Sequence, residues 1–427
     1  MANCDVVIVG AGLAGMTAAW RLRQAGRSVQ LLEARTRTGG RIHGFNVGDR
    51  SIQLGGRWTG PGQDRIAMLA SELGVGIRTV SFFEDAYKSV GGSRPDFVDA
   101  VRRIDTLAST VPLDRPWAAD EAATLDAQTL ATWLAANCAP DTARDLGDII
   151  AGFLPEPQDV SLLHALFYLH SNGGLAGIVG LDGPPHDSAM FEGGAHALTN
   201  KLAERLGDAI RTDTPVHAVR YDANGAEAII DGAVLRAGHA IVTLPPVLAG
   251  RLRWEPAMPP DRDYLTQRMP IRGKIVAVAL YDTPFWRSSA NTHGMTSSKL
   301  YAWDEGGDEL PAAIGMLVSI RRSREIWALP EPDRRSMLLA DLADGLGPAA
   351  LAPCGFHMVY WAAEPWSRGC NSFLTTGVWT AWGHALRQPV GRIIWAGAEL
   401  SERFAGQMEG AVRTGEAAAA TVLAARR

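Results

Sequence analysis

Gly10, Gly12 and Gly15 stand in the spacing Gly-x-Gly-x-x-Gly, directly after the apolar run 5–9 and ahead of a segment with helical periodicity. That placement suits the pyrophosphate of a dinucleotide. Gly10 permits a tight turn, Gly12 lets a phosphate approach the backbone, and Gly15 allows close helix–strand packing. The first turn of the following helix offers free N–H groups and a partial positive charge to an anion. Glu33 closes the next apolar run, 18 residues after Gly15, where an acid meets ribose hydroxyls. By itself the motif does not choose between a nicotinamide and a flavin dinucleotide.

A second candidate is Lys274. The chain has 41 basic residues, of which only Lys88, Lys201, Lys274 and Lys299 are lysines, so a lysine in an unusual place carries more information than elsewhere. Arg272, Lys274, Val276, Val278 and Leu280 alternate onto one face of the strand 273–281. Lys274 is either a strand-end lysine reaching water or a charge facing a reacting group. No Gly-x-Ser-x-Gly elbow, P-loop or His-Glu-x-x-His motif occurs, and no carboxylate pair suited to hydrolysis stands out. Cys4, Cys138, Cys354 and Cys370 are far apart and show no zinc spacing, so no metal site is expected.

The elements needed to position these groups are readable in outline. Strand 5–10, helix 13–26 and strand 28–33 make a βαβ start. Residues 96–154 turn helical, with a helix over 126–138 that places Asp126 near its start, and another over 160–170. Residues 172–187 read as loop. A helix over 197–207 precedes strands over 215–222, 226–231 and 237–246. Strand 273–281 is apolar on both faces, as in a sheet centre. A last strand–loop–helix unit covers 392–397 and 410–425. The fold class is therefore mixed α/β (α+β): a discontinuous Rossmann-like dinucleotide-binding domain (1–82, 188–262, 387–427) with an inserted substrate domain, helical over 83–187 and sheet-forming over 263–386.

Composition supports an ordinary globular protein. The chain has 427 residues, 47% hydrophobic and 20% charged, and a net charge of −5. A weakly acidic chain without a polybasic segment is not built for nucleic acid or an anionic membrane surface. No disulfide framework, signal peptide or spanning segment is read from the sequence, so a cytoplasmic location is expected.

The segments after the first motif resemble the flavin-containing amine oxidase family, which includes monoamine, polyamine and L-amino acid oxidases. Residues 33–41 (EARTRTGGR) match the family's segment along the flavin dinucleotide. Residues 54–61 (LGGRWTGP) are similar to its segment beside the isoalloxazine. Phe191-Glu192-Gly193-Gly194, Pro215-Val216, Thr243-Leu244-Pro245-Pro246 and Pro284-Phe285-Trp286 continue the likeness. It ends with 395–399 (WAGAE) and 406–411 (GQMEGA). The resemblance is loose only over 85–160.

The resemblance implies FAD held by Gly10, Gly12, Gly15, Glu33, Arg35, Gly39, Gly40, Arg41, Gly55, Gly56, Arg57, Trp58, Val216, Trp366, Gly397, Glu399, Gln407 and Met408. It implies Lys274 near the reactive flavin nitrogen, as the catalytic residue. Cys370, in Trp366-Ser367-Arg368-Gly369-Cys370, resembles the cysteine that monoamine oxidases link to flavin by a thioether; members without that link, or a small buried apolar thiol, are the alternative. The two tyrosines that flank the amine in monoamine oxidases are replaced by Asn371 and Gln407, which with Tyr168, His170 and Asn172 are the expected substrate pocket. The implied reaction is hydride transfer from a carbon next to nitrogen, with dioxygen as acceptor and a small molecule as substrate. A desaturase acting beside a carbonyl and a flavin-free, non-enzymatic member of the fold are the rival readings. A homodimer is left open.

Overall fold

The computed structural model describes residues 4–80, 94–288, 294–307 and 309–425. The expected boundary between 82 and 83 lies outside the described residues.

The βαβ start forms as read: strand Cys4–Val9, helix Leu13–Gln24 and strand Val29–Leu32. A Cβ on Gly15 would lie 2.1 Å from the Gly10 carbonyl oxygen, so the helix can begin this close to the turn only with glycine there. The helix buries a face of small and apolar residues, Ala14, Met16, Ala18, Ala19 and Leu22. Helix Met408–Ala424 packs on it, with Ala411, Val412, Ala418 and Val422 in the same core.

These elements sit on a mixed sheet. Strand Cys4–Val9 pairs in parallel with Val29–Leu32 on one side and with Ala233–Val242 on the other. Ile210–Arg211 extends one edge. Ala226–Ile230, Ala218–Tyr221 and Arg253–Glu255 extend the other, and Ile393–Trp395 pairs with the end of Ala233–Val242. The phosphate turn and the carboxyl ends of Val29–Leu32 and Ala233–Val242 therefore open on one rim of the sheet. That rim is where open α/β sheets bind ligands.

A second, antiparallel sheet runs Gly294–Thr296, Leu300–Asp304, Ala312–Val318, Ile275–Tyr281, Gly355–Tyr360. Its centre, Ile275–Tyr281, is buried at every position. Val278 and Leu280 pack on Ile52, Leu54 and Ala313, while Ile275, Ala277 and Ala279 pack in a separate core with Ile314 and Leu338. Val278 and Leu280 thus share the face turned toward residues 52–54, and Arg272 and Lys274 precede the strand.

Helices Pro95–Ser109, Leu130–Asn137, Pro140–Phe153 and Leu162–Ser171 build a third layer around Phe97, Ile104, Leu134, Ile150 and Leu166. The helix expected over 126–138 is two helices, Ala122–Asp126 and Leu130–Asn137. The break has a local cause: the Thr129 side chain accepts from the Thr132 N–H at 3.2 Å and starts the second helix. Asp126 ends the first helix instead of starting the second. Its buried carboxylate accepts from Ser161 Oγ at 2.6 Å and from Thr380 N and Oγ1 at 2.9 Å. The loop 172–187 contains a short helix, Leu175–Ile178. The strand expected to begin at 215 begins at Ala218, and the one expected from 237 begins at Ala233.

Candidate active site

One cavity of about 570 Å³ runs from the turn after the first strand to the meeting point of the second sheet and the helical layer. At its first end it is lined by Gly10, Gly12, Glu33, Arg35, Gly39, Gly40, Arg41 and Val216. Gly55, Gly56, Arg57, Trp58, Trp366, Cys370, Gly397 and Met408 line its middle. Tyr168, Asn371 and Gln407 line its far end. Residues from widely separated stretches of chain are brought together here.

The first end is held by a short relay of backbone and charge. Glu33 Oε2 accepts from the Ala11 N–H at 2.9 Å and Oε1 from the Arg35 N–H at 3.0 Å, so the acid braces the phosphate turn. Arg35 also donates to Ser367 Oγ at 2.7 Å and pairs with Glu364. Gly12 has only the Gly40 Cα, 4.0 Å away, on its Cβ side, which leaves this stretch of backbone open to a ligand. Gly15 and Glu399 do not line the cavity and act from behind it.

Glu399 is a buried acid whose partner is Arg41, with Arg41 Nη2 donating to Glu399 Oε2 at 2.9 Å. Burial would push the Glu399 carboxyl up, but Arg41 beside it holds it below the usual range. Arg41 also donates to the Cys370 carbonyl, and Glu399 accepts from the Ser372 N–H at 3.3 Å. This pair therefore sets the position of the 370–372 segment against the phosphate side. Gln407 is the N-cap of helix Met408–Ala424, whose first turn lies on the cavity. Two residues on, Glu409 is fully buried and accepts from the Arg65 and Ile66 N–H groups at 3.1 and 2.7 Å, capping helix Asp64–Leu73.

Asn371 and Gln407 both reach the far chamber, but their amides are engaged. In the orientation that satisfies both its atoms, the Asn371 amide nitrogen donates to the Cys370 carbonyl at 2.9 Å and the Gly406 carbonyl at 3.3 Å. Gln407 Nε2 donates to Tyr168 Oη at 3.1 Å. Phe153 stacks on the Tyr168 ring with centroids 5.9 Å apart. His170 and Asn172 depart from the expectation. His170 Nδ1 bonds the Val111 carbonyl at 2.8 Å, and Asn172 Nδ2 donates to the Tyr168 carbonyl at 2.9 Å. Neither lines the cavity, because the helix Leu162–Ser171 presents only Tyr168 to it.

Lys274 is buried and also lies off the cavity wall. Its ammonium donates to the carbonyls of Ala151 and Gly152 at 2.7 and 2.9 Å, at the end of helix Pro140–Phe153. Burial, reinforced by Arg272, holds its pKa well below the usual lysine range. Sequence reasoning passed over two charged residues that do line the far chamber, Arg272 and Asp187. The signal for Arg272 was its place two residues before Lys274 on the same strand face. Asp187 lay in a Gly/Pro-rich stretch and offered none. Among the described residues no cluster of three or more His, Cys, Asp or Glu side chains is arranged to hold a metal, and no helix is long and apolar enough to cross a membrane.

A family model for flavin containing amine oxidoreductases matches residues 13–423, and the chain belongs to this flavin-dependent oxidoreductase family. An L-amino acid dehydrogenase of Synechocystis is 34% identical over 99% of this chain and 95% of its own length. The pig flavin-containing amine oxidase B is 32% identical over 99% of this chain and 86% of its own. Among solved structures, putrescine oxidase bound to putrescine superposes with a TM-score of 0.90 at 27% identity, covering 99% of both chains. Cyclohexylamine oxidase of Brevibacterium oxydans gives 0.90 at 28% identity, covering 98% of both.

The residues present fit a flavin dinucleotide. The open backbone at Gly12, the braced acid Glu33 and a cavity long enough to join them to Cys370 and Met408 are the features that such a ligand requires.

Proposed function

We propose that this chain oxidises the C–N bond of an amine to an imine, with FAD as hydride acceptor and dioxygen as the final oxidant, giving hydrogen peroxide. The observation that carries this reading is the single cavity joining the Gly10–Gly12 turn to the chamber of Tyr168 and Gln407. The relatives' names support the C–N reading over the desaturase, since an amino acid, putrescine and cyclohexylamine each carry an amino group.

Bound FAD supplies the chemistry, taking a hydride from the carbon that bears nitrogen. The chain supplies position. Gly10, Gly12 and the first turn of helix Leu13–Gln24 would hold the pyrophosphate, Glu33 a ribose, and Val216 the adenine end. The partial positive charge at the start of helix Met408–Ala424 would favour the electron-rich, reduced ring system. Phe153 and Tyr168, stacked on one another, form an apolar part of the far chamber's wall. Hydride transfer needs the amine neutral, so a group that takes its proton aids the step.

The test is anaerobic. The purified, FAD-loaded protein is mixed with amines and, separately, with cyclic ketones, and the flavin absorbance is followed. Bleaching by amines supports the proposal. Bleaching by ketones alone replaces it with the desaturase reading.

A further inference from the structure

A second, far smaller void of about 10 Å³, room for roughly one water, lies behind the far chamber. Phe153, Tyr168, Arg272, Asn371 and Gly406 line both cavities and so form the wall between them. Contacts run along this wall without a break. The Phe153 and Tyr168 rings stack with centroids 5.9 Å apart and planes 10° off parallel. A Cβ on Gly406 would lie 3.4 Å from the Tyr168 ring and 3.2 Å from the Asn371 amide. The Arg272 N–H donates to the Asn371 carbonyl at 3.1 Å. Arg272 Nη1 reaches the carbonyl of Gly152, the residue before Phe153, at 3.4 Å.

Most of the wall is fixed by polar bonds. Tyr168 Oη accepts from Gln407 Nε2 at 3.1 Å, and the Asn371 amide is held by the Cys370 and Gly406 carbonyls. Gly406, at φ +77°, presents no side chain. Phe153 differs: its ring meets the wall only by stacking, and its position comes from its backbone. It is the last residue of helix Pro140–Phe153, and Lys274 and Arg272 both donate to the carbonyls just before it. Cations there satisfy carbonyls that have no helical partner and suit the negative end of the helix. The Phe153 ring is thus an apolar panel on a fixed frame. Behind it the void is lined by Leu154, Phe167, Phe373 and Ala405, so shortening Phe153 would extend the chamber into apolar surroundings. Phe153 also lies within 85–160, where the family likeness is loosest, so its identity is this chain's own.

We propose that Phe153 determines specificity by size: it sets the largest substituent the chamber accepts on the carbon that bears nitrogen, and it excludes fused-ring amines. The proposal rests on the C–N reading for what the chamber binds. Lys274 and Arg272 act through the helix end as positioning residues.

Binding without turnover tests it on the FAD-loaded protein. Tert-butylamine, 2-phenylpropan-2-amine and 2-(2-naphthyl)propan-2-amine have no hydrogen on the carbon that bears nitrogen. None can be oxidised, and they differ only in the size of one substituent. Their Kd values are read from perturbation of the flavin spectrum. The parent should bind the naphthyl amine at least about 10-fold more weakly than the phenyl amine, the scale of a misfit in an apolar pocket. Phe153→Ala should bring that ratio to about one or below, with Phe153→Leu between, as the larger ring fills the opened space. Phe153→Trp should weaken the phenyl amine as well. Tert-butylamine should stay within about 2-fold throughout, ~0.4 kcal/mol. A naphthyl-to-phenyl ratio that does not move in Phe153→Ala or Phe153→Leu overturns the proposal. If Phe153→Ala loses FAD, Phe153→Leu and Phe153→Trp decide by the same measurements. A tert-butylamine Kd that shifts in step with the other two assigns Phe153 a merely structural role and overturns it too. If benzylamine and other oxidisable amines leave the flavin unbleached, the C–N reading fails while the binding ratios still decide the role of Phe153.

Discussion

The ammonium of Lys274 donates to the Gly152 carbonyl at 2.9 Å, and Gly152 with its neighbour Phe153 forms part of the chamber wall. Lys274 therefore acts through the end of helix Pro140–Phe153, where a cation meets carbonyls that have no helical partner. Lys274→Met leaves the Ala151 carbonyl unpaired and the Gly152 carbonyl with only the long 3.4 Å bond from Arg272 Nη1, a cost of about 1–3 kcal/mol in stability. Flavin reduction by substrate and reoxidation by dioxygen should then slow by similar factors, measured by stopped flow. A loss confined to reoxidation, on the order of 10²–10³-fold, would instead make Lys274 a charge that assists oxygen.

Gly12 and Gly15 should respond differently to substitution. A Cβ at Gly12 meets no protein atom closer than 4.0 Å, whereas one at Gly15 runs into the Gly10 carbonyl. Gly12→Val should leave the melting temperature of the FAD-free protein nearly unchanged and weaken FAD binding by about 10²-fold or more, ~2.7 kcal/mol. Gly15→Val should lower the melting temperature itself. Flavin-to-protein absorbance and thermal melts check both, and normal flavin content in Gly12→Val would place the dinucleotide elsewhere.

Cys370 is a free thiol on the cavity wall, between the segment tied down by Arg41 and the chamber. A thioether to flavin is expected to keep the yellow colour in the pellet after acid precipitation. Cys370→Ala should release the flavin to the supernatant while the protein still binds it. Free flavin from the unaltered protein would assign non-covalent binding and leave the FAD reading intact.

His164 makes stability depend on pH. It is buried, its Nδ1 accepts from Trp379 Nε1 at 3.2 Å, and burial holds its pKa down at about 3, against 6.5 for a free histidine. The folded protein keeps it neutral, while the unfolded chain takes up a proton below about 6.5. This contribution is complete above pH 6.5 and is lost as pH falls from 6.5 toward 3, at up to about 1.4 kcal/mol per pH unit. Urea unfolding from pH 7.5 to 5 should show stability falling more steeply in the parent than in His164→Gln by that slope. Parallel profiles would assign the loss to other groups.

The amino-acid sequence alone determined the parts of the site that are local in the chain. A strand, a tight turn and a helix start lie within 15 residues, so Gly10, Gly12 and Gly15 could be assigned before any tertiary contact was known, and Glu33 followed one crossover later. The alternation in 272–280 puts Arg272, Lys274 and Val276 on one strand face, because side chains along a strand alternate by geometry; in the structure the strand begins only at Ile275. Tertiary structure decided where that face points. The end of helix Pro140–Phe153 meets Lys274 and takes its ammonium, leaving Arg272 at the cavity wall. It also turned the Asn371 amide onto the Cys370 and Gly406 carbonyls, and His170 and Asn172 onto backbone outside the cavity. That Arg272 and Asp187 line one cavity could not be read from the chain, because no short-range pattern encodes how segments that far apart meet.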